Sequence, residues 1–112
     1  MVDGAIRLSP PGETLMIAEG LETALAGQQL YSLPSWAATG QARRQSILLP
    51  DVVKTVVLLA ENGGGGQITT ENAKLSYEQQ GRDVIIEHPP DDFKDHADML
   101  TGKKIQQHAG AA

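Results

Sequence analysis

The sequence has no cysteine. That absence excludes a disulfide scaffold, thiolate zinc sites and cysteine nucleophiles. Aromatic side chains are scarce, with one tryptophan, two tyrosines and one phenylalanine in 112 residues. A lone Trp36 builds no stacking platform for bases and reads as a core residue. Positive charge is not in excess. There are 9 basic and 14 acidic residues, for a formal net charge of -5. The average surface therefore repels a phosphate backbone. Carboxylates that bind a divalent cation would give this imbalance, and so would a plainly solvated acidic surface. No stretch is long and apolar enough to span a membrane. The first residues lack the basic-then-apolar layout of a secretory leader. The three histidines, His88, His96 and His108, have no zinc spacing, and His96 reads as a surface residue. These absences lead to the expectation of one cytoplasmic α/β domain with its own core.

What is present alternates between strand and helix signals. Ala5–Leu8 reads as a short edge strand, closed by the Pro10-Pro11-Gly12 turn. Thr14–Ala18 is an apolar run of the kind that buried parallel strands show. A helix is expected from Leu21 to Leu30, with Leu21, Ala24 and Leu25 on its buried face. Pro34–Ala38 reads as a second strand, and Gln41–Leu48 as a short helix stopped by Pro50. Lys54–Ala60 carries the strongest strand signal and runs into Glu61-Asn62 and four glycines. A helix is expected from Gln67 to Gln80, with Ile68, Ala73 and Tyr77 as its apolar stripe. Asp83–Glu87 is the last strand, and Asp95–Leu100 forms a final helical turn. Repeated strand–helix units predict a parallel sheet with right-handed crossovers. Ligands of such sheets bind at the carboxyl ends of the strands. That rule points to Glu19, Glu61 and the segment after Glu87. Arg43 and Arg44, near the second strand, are candidates to meet phosphate. The run Gly63–Gly66 lacks the Gly-Lys-Ser/Thr ending of a P-loop.

Three segments now stand in order. The first is Glu19-Gly20-Leu21-Glu22-Thr23-Ala24-Leu25-Ala26. The second is Ala60-Glu61-Asn62-Gly63-Gly64-Gly65-Gly66. The third is Asp95-His96-Ala97-Asp98-Met99-Leu100. Together they resemble the motifs of the Toprim domain, in the branch found in phage- and plasmid-type primases and primase-helicases. The resemblance implies a Toprim-like, Rossmann-resembling sheet of about four parallel strands flanked by helices. The domain is expected over residues 1–102, with 103–112 as a frayed tail, and the chain is either a piece of a longer protein or a minimal stand-alone version.

The resemblance also implies roles. Glu19 would be the catalytic acid/base or a metal ligand. Glu61, Asp95 and Asp98 would hold Mg²⁺ or Mn²⁺. Gly20, Glu22, Thr23 and Gly66 would line the substrate or phosphate site. Three positions depart from the family pattern. Glu61 and Gly63 stand where the family has aspartates, and His96 stands where it has an aromatic. A glycine offers a metal no side-chain ligand, so weak metal binding is expected. The implied activity is metal-dependent nucleotidyl transfer for RNA primer synthesis. A single-stranded DNA template and nucleotides would be reached through the parent protein, alongside partners such as a helicase. Two alternatives stay open: a catalytically impaired module that binds nucleic acid or protein, and a Toprim-type nuclease. A topoisomerase would need a tyrosine nucleophile from a separate domain.

Overall fold

Side-chain alternation in two buried strands builds a core on each side of one sheet. The computed structural model describes residues 5–38, 47–63 and 67–105. Its strands are β1 (Ala5–Arg7), β2 (Thr14–Ala18), β3 (Ser35–Ala38), β4 (Thr55–Leu59) and β5 (Asp83–Glu87). Its helices are α1 (Leu21–Tyr31), α2 (Gln67–Gln79) and α3 (His96–Thr101). The sheet order is β1-β3-β2-β4-β5. β2, β3, β4 and β5 run parallel, and β1 joins β3 antiparallel as the expected edge strand. The segment expected as a helix from Gln41 lies mostly outside the described residues, and Ile47–Pro50 forms no regular element.

Because successive strand residues face opposite sides, β2 and β4 divide their side chains between two cores. Leu15, Ile17, Val56 and Leu58 pack with Trp36 and with Ala73 and Tyr77 of α2. Met16, Ala18, Val57 and Leu59 pack with Ala37 and with Ala24 of α1. Trp36 is fully buried, as expected. Its indole N–H donates to Ser9 O at 3.0 Å, and the Arg7 guanidinium lies 4.4 Å from its ring centroid.

The buried faces of the helices differ from expectation. Leu21 and Leu25 of α1 are 44% and 41% exposed, while Ala24, Ala26 and Gly27 are buried. The reason is close approach. A Cβ built on Gly27 would lie 2.5 Å from Leu59 Cδ1 and 3.5 Å from Met16 Cε. The sheet supplies the bulk here, so the helix can present only small residues. On α2 the inward stripe is Thr70, Ala73 and Tyr77, and Ile68 is 74% exposed. The helical phase is set by Tyr77, whose ring fills more of the core than an isoleucine at the helix start could.

His96 is a second correction, since it is buried rather than on the surface. Its side chain has no solvent exposure, and neither ring nitrogen has a hydrogen-bond partner among the described residues. It meets Tyr31 edge-on, with centroids 5.7 Å apart and planes at 72°. An aromatic position between α1 and α3 has thus been filled by an imidazole. Burial pushes its pKa below the ordinary 6.5; Asp95 pulls it partly back, and His88 lowers it further.

Two outcomes follow from this packing. Gly27→Val should lower stability by roughly 2–3 kcal/mol through overpacking against Leu59, read from urea unfolding. For His96, the unfolded chain takes up a proton below about pH 6.5 that the folded state refuses. Its contribution is therefore intact above that pH and erodes as pH falls below it. His96→Phe should raise stability at pH 7 by about 1–3 kcal/mol, since it removes two unsatisfied buried nitrogens. It should also flatten the decline between pH 7 and pH 5.5 relative to the parent. An equally steep decline in both proteins would show that His96 is not its source.

Candidate functional site

The parallel register brings three strand ends to one level. Ala18 pairs with Leu59, and Leu59 with Glu87. The ladder extends one residue further, where the Ala60 N–H donates to Glu87 O at 2.9 Å. Glu19, Ala60 and His88 therefore stand in one tier across β2, β4 and β5. Neighbouring strands are about 4.8 Å apart, which puts the Glu19 and His88 backbones roughly 10 Å from each other. Ala18 and Leu59 belong to the core on the α1 side, so the next residue of each strand pleats toward α2.

A cleft with room for about 80 Å³ opens on that side. Its floor is Leu59, Ala60 and Ile86, and its walls include Glu19, Thr23, Glu61, Gly63, His88 and Asp95. The start of α2 closes it with Gln67, Thr70 and Glu71. Such a volume suits a few waters, a hydrated cation or one phosphate group, not a whole nucleotide.

The fold thus gathers Glu19, Thr23, Glu61 and Asp95 from the residues singled out in the sequence. Asp98 and Glu22 sit in the first turns of α3 and α1 and do not line the cleft. Gly20 is the N-cap residue of α1, and its carbonyl accepts from the Ala24 N–H at 3.1 Å. Gly66, Arg43 and Arg44 lie outside the described residues.

Three contributors were not foreseen. His88 follows β5 as Glu19 follows β2, so the strand-end rule already reached its position. Glu71 enters from the second turn of α2, and only the length of the glycine-rich connection places it there. Asn62 was read merely as part of a loop. Its side-chain Nδ2 donates to three carbonyls, Pro89 O at 2.9 Å, Pro90 O at 3.0 Å and Phe93 O at 2.8 Å. Its backbone N–H donates to Lys94 O at 2.7 Å.

The lining has a chemical bias toward negative charge, with Glu19, Glu61, Glu71 and Asp95 against His88 alone, among the described residues, as a group able to become cationic. Asp95 also caps α3, its Oδ1 accepting the Asp98 N–H at 2.8 Å. Among the described residues, no three acids or histidines are close enough together to share one ion. Mg²⁺ does not require that, because it usually keeps several waters and takes one or two carboxylates. The donor set fits a hydrated cation held in this way and does not fit one enclosed by three protein ligands. Gly63 has φ of +72°, and none of the described residues lies within 4 Å of where its Cβ would stand. The place where the family pattern has a second acid is therefore open space.

No curated protein shows significant sequence similarity to the chain. Among solved structures, the primase fragment of the bacteriophage T7 primase-helicase protein is similar, with a TM-score of 0.65 at 18% identity. The likeness covers 86% of this chain and 42% of that one, so this chain spans less than half of that fragment. At this identity the likeness concerns the fold, an α/β domain with a mostly parallel five-stranded sheet. The Toprim domain family matches residues 14–104, from the start of β2 to beyond α3. The chain therefore belongs to the Toprim domain family.

Proposed function

We infer that this domain serves a primase-like replication protein and supports metal-dependent phosphoryl transfer, with RNA primer synthesis as the reaction. The observation that carries this reading is the convergence of Glu19, Glu61 and Asp95 on one small cleft at the carboxyl edge of the sheet. Glu61 and Asp95 would hold Mg²⁺ or Mn²⁺ through one or two carboxylates, Asp95 with the oxygen that is not engaged as a cap. A bound cation would neutralise charge on the phosphate and align the attacking oxygen.

Glu19 is the candidate proton acceptor. It is half-buried at the cleft wall, in the tier nearest the sheet. Its carboxylate would take the proton of the attacking hydroxyl as the oxygen bonds to phosphorus and the pyrophosphate leaves. Thr23, one turn along α1, narrows the same wall. Single-stranded DNA template and nucleotides would be supplied through other parts of a larger protein, and a helicase is the natural companion activity. Such work belongs in the cytoplasm. No described helix is long and apolar enough to cross a membrane.

A second reading has its own observation. Gly63 leaves an acid position empty, and among the described residues no three ligands converge. A domain so built could bind nucleic acid or a replication protein without doing chemistry. Neither tyrosine offers a topoisomerase-like nucleophile. Tyr77 is fully buried, and burial, aided by Glu87, pushes the Tyr31 pKa up.

Two outcomes separate these readings. Glu19→Gln in the parent protein should cut primer synthesis by about 10²-fold or more while circular dichroism stays unchanged. Full priming by this variant would end the catalytic reading. Gly63→Asp should tighten Mn²⁺ binding by roughly tenfold, since an added carboxylate raises affinity at such sites. It should also lose about 1 kcal/mol of stability, because a side chain at positive φ is strained. Isothermal titration reads the first effect and thermal unfolding the second. Unchanged Mn²⁺ affinity would mean that the cation does not sit beside residue 63.

A further inference from the structure

We propose that Asn62 is a positioning residue that fixes Asp95 beside Glu61 on one rim of the cleft. The proposal rests on the metal-site reading of the cleft and adds to it the element that sets its geometry.

The segment from Pro89 to Lys94 leaves β5 and leads to Asp95. It has no regular structure of its own, apart from a turn in which the Phe93 N–H donates to Pro90 O at 2.9 Å. Three of its carbonyls converge on one point, within 2.8–3.0 Å of a single nitrogen. Converging carbonyl oxygens repel one another. They stay together only around a donor or a cation, and here the donor is the Asn62 amide. An amide nitrogen has two hydrogens for these three acceptors, so one is shared and no other uncharged side chain of this length would do better. Leucine, serine or aspartate at this position offers no N–H to any of them.

The backbone contributes the second half of the coupling. The Asn62 N–H donates to Lys94 O at 2.7 Å. Glu61 is the residue before the donor, and Asp95 is the residue after the acceptor. Both carboxylates are thus one residue from the same hydrogen bond. The loop after β4 and the loop after β5 form a single rim, closed by four hydrogen bonds from one residue. Asp95 in turn holds the start of α3 through the Asp98 N–H, so its own rotamer is also defined. Side chains that orient metal ligands in this way typically matter by 10–100-fold in metal affinity.

The test uses the folded chain and two variants, Asn62→Ala and Asn62→Asp. The second keeps the shape and removes the donors. In the parent without metal, the Asn62 side-chain amide protons should exchange slowly and show scalar coupling to the three carbonyl carbons. Both variants should shift and deprotect the amides from Phe93 to Asp98 and leave those of β2 and α1 unchanged. With Mn²⁺, the parent's Glu61 and Asp95 amides should broaden over one concentration range. In Asn62→Ala, measured well below its Tm, Asp95 should drop out of that response and affinity should fall about tenfold. A merely structural role would lower the Tm and leave affinity and the broadening pattern as they are. That result, or fast exchange of the Asn62 side-chain amide in the parent, would overturn the proposal. If Mn²⁺ broadens nothing in the parent, the metal reading fails on its own. The movement of Asp95 in the metal-free variants would then still support the coupling, and its absence would refute it.

Discussion

The site depends on one constraint, the in-register parallel ladder across β2, β4 and β5. Ala18, Leu59 and Glu87 are hydrogen-bonded neighbours in consecutive strands. Whatever follows them in sequence must emerge side by side. A slip of one residue would turn Glu19 and Ala60 toward α1 and Ala18 and Leu59 toward α2. The two cores forbid that slip, since Leu15, Ile17, Val56 and Leu58 would have to trade places with Met16, Ala18, Val57 and Leu59. Packing far from the cleft therefore sets where its carboxylates stand. Chemistry at the strand ends inherits its alignment from apolar side chains that never touch a ligand.

The same geometry makes the electrostatics demanding. Several carboxylates share a small cleft, and the chain as a whole is acidic. A phosphate approaching this surface meets repulsion unless a cation is already there. Acidity that is a liability for binding nucleic acid directly is a means of concentrating divalent ions. Among the described residues, His88 is the one lining group whose charge could offset a phosphate. On the proposed reading, an acidic domain would suit a phosphoryl-transfer role only in the company of metal and of other, more basic parts.

Much of the fold was legible because buried parallel strands announce themselves. Runs such as Thr55-Val56-Val57-Leu58-Leu59 have few other uses, and acids or glycines directly after them mark the strand ends. Glu19, Glu61 and Asp95 were legible for the same reason, helped by the ordered motifs of the family. The helices were harder. Their inward faces are small, and a stripe of Ala24 and Gly27 looks like a weak core when hydrophobicity alone is counted. The leucines at 21 and 25 drew attention that belonged to their neighbours. His96 misled for a different reason: imidazole is usually found at surfaces, and only its place between α1 and α3 shows that it stands in for an aromatic ring. Asn62 could not have been read at all, because its three acceptors are backbone groups of residues 27 to 31 positions away.

The close seat of α1 has a mechanical consequence. Gly27 lets the helix axis approach Leu59 and Met16 so nearly that there is no slack for sliding or rolling. Thr23 rides on that helix, and Glu19 immediately precedes it on β2. These two residues thus form one closely packed side of the cleft. A substrate larger than the present opening would be accommodated on the opposite side, made of the α2 start and the rim that carries Asp95. Comparing liganded and free forms should be a matter of watching that side, with the α1 side as the fixed frame of reference.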